Sequence, residues 1–280
     1  MTLTDLRRLL PAACIGLAAC SSDPSAPPPN NPFKPNQSSE RELRLEAEGL
    51  YKLARRALES SDFAGAIQRY DQIAARYPFT DYATQADLES IYAKYRSFDP
   101  DGAISTADRF LKEHPRHPAV DYVYYLKGLT NFERGESAFD WIVDSTKQDV
   151  GFARKAFDDF ALMIQRYPAS RYAGDARQRM IYLRNRIAGH ELHVVHYYVR
   201  RGAWLAAAKR AERIVSDYPG SPATMEALEL MKKSYQEIGL KQQAEEVEAV
   251  LKANPKSAAA PAPRPAQAGA AAAPPAMPAS

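Results

Sequence analysis

Cysteine is nearly absent from this sequence. Of its 280 residues only Cys14 and Cys20 are cysteines, and both stand near the N-terminus. No disulfide and no cysteine-based metal site can therefore form beyond residue 20. A long hydrophobic run is missing as well, because the apolar stretch 9–19 is much shorter than the roughly 20 residues that a transmembrane helix requires. The net charge of only +3 gives no indication of nucleic-acid binding.

Catalytic motifs are missing too. The sequence contains no G-x-S-x-G, no P-loop and no G-x-G-x-x-G, and no neighbourhood offers a nucleophile, a base and an orienting group together. His190, His193 and His196 recur every three residues, but the second histidine comes one residue too early for the zinc-protease motif. The run 99–102, Asp-Pro-Asp-Gly, lacks the other ligands of a calcium loop and indicates a turn between helices. We therefore predict no enzymatic activity, no metal and no cofactor.

The N-terminus is typical of an export signal. Arg7 and Arg8 precede the apolar stretch, which ends in Leu17-Ala18-Ala19-Cys20. A leucine three residues before a cysteine, with small residues between, is the cleavage pattern of bacterial lipoproteins. We predict a signal peptide at 1–19 and a lipid anchor at Cys20, and Ser21 in place of an aspartate favours the outer membrane. An ordinary secretory signal with an incidental cysteine is the alternative.

Neither end of the mature chain has the composition to bury a core. Residues 20–38 are rich in proline, serine and asparagine, and we interpret them as an extended tether. Residues 256–280 are almost only alanine and proline, and we predict a disordered tail there. A helical domain is expected from Ser39, a candidate N-cap, to residue 255.

Within that domain one segment recurs five times, and each copy closes with a proline. The positions 12, 8 and 5 residues before the proline are mostly apolar and fall on one stripe of a helix. The proline ends the helix because it lacks an N–H and disfavours helical backbone in its predecessor. The copies are Ala66/Tyr70/Ile73/Pro78, Ala103/Ala107/Phe110/Pro115, Ala156/Phe160/Met163/Pro168, Ala207/Ala211/Ile214/Pro219 and the weaker Gln243/Val247/Val250/Pro255.

Each copy is preceded by a further helical segment, as in Leu50, Leu53 and Ala54. This pairing matches the tetratricopeptide (TPR) repeat. We predict an all-α TPR helix-turn-helix solenoid of five repeats, with early repeats at 39–135 and late repeats at 151–255. Two intervals between prolines are too long. We assign a long loop carrying Phe139, Trp141 and Ile142 to the first, and one long helix over 173–200, in the fourth repeat, to the second.

Tyrosines and basic residues alternate on the first helices of the early repeats, which line the concave face in TPR arrays. Such a surface suits an extended peptide. We predict a substrate-peptide groove lined by Tyr51, Arg55, Tyr92, Tyr95, Tyr122 and Tyr125. Core packing of about half of these tyrosines is the competing interpretation.

A second dense patch follows the long helix. Tyrosine, tryptophan and arginine together are typical of interaction hot spots. We predict a partner interface at Tyr198, Arg201, Trp204 and Arg210. The competing interpretation is core packing of Tyr198 and Trp204, which we expect to hold for part of this patch.

The sequence resembles the BamD lipoproteins, also called ComL or YfiO, over about residues 20–255. The segments that carry the resemblance are Arg76-Tyr77-Pro78-Phe79, Ile91-Tyr92-Ala93-Lys94-Tyr95, His117-Pro118-Ala119-Val120-Asp121-Tyr122, Tyr124 to Asn131, Ala156-Phe157-Asp158-Asp159-Phe160, and Tyr197-Tyr198 through Arg201-Gly202-Ala203-Trp204. The tail after Pro255 departs from the family, so nothing is carried over to it.

The resemblance implies a scaffold of the β-barrel assembly machinery, anchored by lipid on the periplasmic face of the outer membrane. It implies that the late repeats bind a periplasmic POTRA domain of the BamA-type barrel subunit and other Bam lipoproteins. It also implies that the early repeats bind unfolded outer-membrane proteins and that Arg210 faces the barrel subunit. The alternative function is a TPR lipoprotein that coordinates peptidoglycan synthesis or cell division. A hydrolase with a helical accessory domain lacks a catalytic constellation.

Overall fold

A computed structural model of the chain describes residues 37–135 and 150–254, together with the isolated positions 265, 273 and 274. Cys20, the predicted signal peptide and the segment 136–149 with Phe139, Trp141 and Ile142 lie outside the described residues, as do most of the tether and the tail. The chain divides into two compact units, Met1–Arg41 and Glu42–Ser280. The described residues of the first unit are 37–41, which are helical.

The described ranges are helical throughout, apart from short turns, and contain no strand. The helices are α1 Gln37–Glu59, α2 Phe63–Arg76, α3 Asp81–Arg96, α4 Pro100–Glu113, α5 Val120–Arg134, α6 Gly151–Arg166, α7 Ala173–Arg200, α8 Trp204–Asp217, α9 Ala223–Glu237 and α10 Lys241–Ala253. The predicted long helix over 173–200 is confirmed with the predicted limits. The first helix begins two residues before Ser39, so Ser39 lies inside α1 and the prediction of an N-cap there is wrong.

Successive helices from α2 to α10 pack against one another in chain order. In addition α3 contacts α5 and α7 contacts α9, so the first helices of neighbouring pairs also touch. Helix α1 joins this pack through Tyr51, whose ring centroid lies 6.4 Å from that of Tyr70 on α2. Sequential pairing with contact to the next pair is the packing of helical repeats. The fold is therefore an all-α, TPR-like solenoid.

The apolar stripes before the prolines form the core, as the spacing predicted. On α2 the stripe residues Ala66, Tyr70 and Ile73 are at most 1% exposed, and the corresponding residues of α4, α6 and α8 are equally buried. The last helix departs from the pattern, because Ala244 and Val247 are buried while Gln243 and Val250 are exposed. No described helix follows α10 to cover Val250.

Four turns between paired helices, all within the described ranges, share one backbone feature. Ser61, Phe98, Gly202 and Gly239 all have φ between 59° and 79°, in the left-handed region. Glycine reaches this region without strain, whereas phenylalanine rarely does. After two of these turns an aspartate caps the next helix, since the Asp62 and Asp99 side chains accept hydrogen bonds from the Gly65 and Gly102 N–H groups. Residues 99–102 thus start α4.

The hydrophobic core is continuous over α1–α6 and subdivided over α8–α10. One cluster of buried apolar side chains extends from Tyr51 on α1 to Ile187 at the middle of α7. Two smaller clusters serve the second half of α7 together with α8, α9 and α10. Helix α7 therefore contributes to both parts of the core.

Candidate protein-interaction sites

Three of the predicted groove tyrosines each donate a hydrogen bond to a carboxylate on the first helix of the next pair. Tyr51 on α1 donates a hydrogen bond to Glu89 on α3, and Tyr95 on α3 donates one to Glu133 on α5. Tyr125 on α5 donates one to Asp175 on α7 at 2.7 Å. These three bonds link α1, α3, α5 and α7 in order. We call this set of bonds the tyrosine ladder.

Glu89 is the centre of the first step of the ladder. Its carboxylate is fully buried and accepts hydrogen bonds from Tyr51 at 2.6 Å, Tyr70 at 2.6 Å and Arg55 at 2.9 Å. Gln85 also donates to it at 2.8 Å. A buried charge is tolerated when it is paired and hydrogen-bonded in this way. Burial, with the Glu89 charge second, raises the pKa of Tyr51 and of Tyr70, so both hydroxyls remain protonated donors.

The later steps of the ladder follow the same chemistry. Burial, reinforced by Glu133, raises the pKa of Tyr95. Burial, reinforced by Asp175, likewise raises the pKa of Tyr125. Tyr122 is 1% exposed, and the centroid of its ring lies 5.5 Å from that of Tyr172. These tyrosines bind neighbouring helices of their own chain.

The six residues predicted to line a peptide groove are therefore mostly internal. Tyr51, Tyr92, Tyr95, Tyr122 and Tyr125 are at most 9% exposed, and only the Arg55 side chain, at 31%, is half-buried. The rings of these five tyrosines belong to the core. The competing interpretation expected core packing for about half of them, and it applies to all five. Peptide binding by this face is not tested by their burial and stays a prediction.

An open cleft adjoins one member of the predicted groove. It has a volume of about 250 Å³ and lies between the end of α3, the turn 97–99 and the end of α5, lined by Tyr95, Phe98, Pro100, Thr130, Glu133 and Arg134. Phe98 is 88% exposed at a left-handed φ of 59°. Sequence reasoning missed this cleft, although an aromatic residue in a turn just before Asp-Pro was a signal for it.

The four residues of the predicted partner interface lie at the end of α7 and on α8, and each has its own contacts. The Trp204 ring faces Lys233 of α9, with the ammonium 5.7 Å from a ring centroid. Arg210 lies on the side of α8 that faces α7, where its guanidinium contacts Glu191 at 2.8 Å. Arg201 is exposed and stacks over Tyr197, whose ring also meets Tyr198 edge-on at 5.7 Å. Leu205, next to Trp204, is 58% exposed and was not predicted.

Arg210 belongs to a cluster that the sequence did not reveal. Glu191 also accepts a 2.6 Å contact from Arg154 on α6, and Arg154 donates a second hydrogen bond to the Tyr218 hydroxyl at 3.0 Å. Arg154 and Glu191 are 37 residues apart in sequence. No local spacing rule connects them.

The remaining motifs have structural roles. His196 pairs with Glu226 of α9 at 2.9 Å. Within residues 37–135 and 150–254 no group of three metal-binding side chains is present. Among the described helices, none combines the length and the apolar character needed to cross a membrane.

The fold defines the class of protein as a TPR-like helical-repeat protein. The profile of the family described as "YfiO: Outer membrane lipoprotein" matches residues 44–251. A Xylella fastidiosa protein named outer membrane protein assembly factor BamD is 37% identical over 212 residues, which cover 75% of this chain and 72% of that protein. The proteins of the same name from Neisseria meningitidis serogroup A and Vibrio cholerae are 37% and 33% identical, covering 75% and 85% of this chain and 80% and 94% of theirs. The chain belongs to the YfiO family, and the relatives named above are outer membrane protein assembly factors called BamD.

Proposed function

We propose that this protein is a non-enzymatic lipoprotein scaffold of the β-barrel assembly machinery that assists the insertion of β-barrel proteins into the outer membrane. The observation that carries the proposal is the similarity to BamD assembly factors over three quarters of the chain. The fold supports it, because a helical-repeat solenoid offers long surfaces to other polypeptides.

The anchor in this proposal is a lipid on Cys20 that holds the protein on the periplasmic face of the outer membrane. Replacement of Cys20 with alanine is expected to abolish incorporation of labelled palmitate into the protein, whereas Cys14→Ala is not. Full labelling of Cys20→Ala would contradict the anchor alone, and would leave the scaffold function intact.

The late helices are proposed to dock on the POTRA domain of the BamA-type barrel subunit through Arg210, and to contact other Bam lipoproteins. Arg210 is half-buried, so a carboxylate that it binds would be partly shielded from water. Arg210→Glu should reduce the barrel subunit that copurifies in mild detergent at least tenfold. Arg213→Glu is the matched control, because Arg213 lies on the same helix but is 60% exposed and pairs with Asp217 of its own helix. Copurification of peptidoglycan or division enzymes in place of the barrel subunit would favour the alternative scaffold and overturn this one.

The early helices are proposed to bind unfolded outer-membrane proteins. The open cleft adjoins Tyr95 of the predicted groove and presents the exposed Phe98 ring, and we place an apolar side chain of the substrate there. Phe98→Ala should weaken binding of a labelled barrel-protein peptide about tenfold, because an exposed ring is lost from the cleft without loss of core. Phe79→Ala, at another turn and fully exposed, is the control. Equal affinity of both variants would remove the cleft from the proposal.

A further inference from the structure

Glu191 holds two arginines from different helices. One carboxylate oxygen takes Arg154 of α6 at 2.6 Å, and the other takes Arg210 of α8 at 2.8 Å. Each guanidinium thus receives one oxygen, although the planar fork of an arginine can bind two oxygens of a carboxylate at once. The carboxylate itself is only 8% exposed, so it lies beneath the two guanidinium groups.

The cluster carries an excess of positive charge. Among the described residues, Arg154 and Arg210 form ion pairs only with Glu191, and the Tyr218 hydroxyl that Arg154 also contacts is neutral. Two guanidinium charges therefore share one carboxylate charge. Their side chains are 40% and 36% exposed, so both can be reached from solvent. A second carboxylate would balance the charge and fill the unused donors.

We infer that Arg154 is a second partner-contacting residue, which binds the same carboxylate side chain of the barrel subunit as Arg210. This inference rests on the proposed docking through Arg210 and extends it to a different helix. The partner acid bridges α6 and α8 from outside as Glu191 bridges them from beneath. The hydrogen bond to Tyr218 keeps the Arg154 guanidinium at this position, next to the end of α8.

The test is a double-mutant cycle on the full-length lipoprotein in detergent, with the purified periplasmic domains of the barrel subunit as the probe. The variants are Arg154→Gln, Arg210→Gln, the double variant and the control Arg213→Gln. We expect each of the first two to weaken binding about tenfold at low salt, which corresponds to roughly 1.4 kcal/mol, and less at high salt because the contact is electrostatic. The double variant should lose clearly less than a hundredfold, since residues that share one partner group are not additive.

The outcomes separate the two proposals. If Arg154→Gln binds like the Arg213→Gln control while Arg210→Gln is weakened, Arg154 is only an internal support and the inference is overturned, although docking through Arg210 stands. If neither arginine variant is weakened, docking through Arg210 fails as well. Fully additive losses would place the two arginines on separate partner groups and would also overturn the inference. Should Arg154→Gln fail to fold, Arg154→Lys keeps the charge but loses the fork, and a partial, salt-sensitive loss is expected from it.

Discussion

Helices α1–α6, which share one continuous core, and helices α8–α10, whose core is subdivided, solve the same packing problem with different side chains. Eight residues before the closing proline, α6 places Phe160, whereas α8 places Ala211 at the equivalent position, and both are fully buried. The early carboxylate Glu89 is sealed beneath two tyrosines, whereas Glu191 lies under two half-exposed arginines. The comparison shows that one repeat pattern can hold a sealed carboxylate among tyrosines in one region and a carboxylate beneath solvent-accessible arginines in another.

The largest expected difference concerns the two carboxylates. Glu89→Ala leaves two buried tyrosine hydroxyls and Arg55 without their acceptor, so we expect a loss of about 3–5 kcal/mol in the free energy of unfolding. Glu191→Ala releases two arginines that can reach water, and we expect about 1 kcal/mol. Urea denaturation followed by circular dichroism measures both. Equal losses would remove the distinction between a sealed and an accessible cluster.

The equivalent core positions give the next comparison. Phe160→Ala removes a fully buried ring whose centroid lies 6.0 Å from that of Tyr125, and we expect about 3–4 kcal/mol of destabilisation. Ala211→Gly, at the same repeat position of α8, should cost only about 1 kcal/mol, mainly from backbone entropy. The same urea denaturation experiment measures both losses of stability. A loss for Phe160→Ala close to that for Ala211→Gly would contradict the tighter packing around Phe160 of α6.

A smaller effect should distinguish a close helix contact from an open one. A Cβ on Gly128 of α5 would lie 2.4 Å from the Phe160 ring, whereas a Cβ on Gly174 of α7 would meet nothing within 4 Å. Gly128→Ala should therefore cost about 1–3 kcal/mol, because the contact is overpacked. Gly174→Ala should be neutral or slightly stabilising, since alanine favours the helix. Thermal unfolding would show a fall in Tm for the first variant alone, and a fall for both would count against the packing described.

The smallest effect concerns pH. Burial, with His114 second, lowers the pKa of His117 below its usual 6.5, and the backbone N–H of Ala119 donates to its ring nitrogen. The unfolded chain therefore binds the proton more tightly, and stability should be present above pH 6.5 and decline as the pH falls through the lowered pKa. The variant His117→Gln should abolish less than about 1 kcal/mol of this pH-dependent loss of unfolding free energy. The variant His196→Gln is the control. An unchanged pH profile in His117→Gln would assign the decline to other groups.

The sequence predicted the parts of this molecule that depend on local spacing. The stripe Ala66, Tyr70 and Ile73 follows from helical periodicity, and the 28-residue α7 follows from a stretch without proline. The tyrosine ladder did not follow, because Tyr51 and Glu89, like Tyr95 and Glu133, are 38 residues apart. That separation is close to one repeat length, so a tyrosine and a glutamate recurring one repeat apart were the available signal. The Arg154–Glu191–Arg210 cluster joins three helices and left no signal of this kind.

The most direct test of the division between early and late helices is photo-crosslinking in intact cells from two exposed positions. A photoreactive phenylalanine analogue at Leu205, beside Trp204, should crosslink to the barrel subunit, and the analogue at Phe98, at the cleft, should crosslink to unfolded outer-membrane proteins. Crosslinking of both positions to the same partner, or the reverse assignment, would contradict the account.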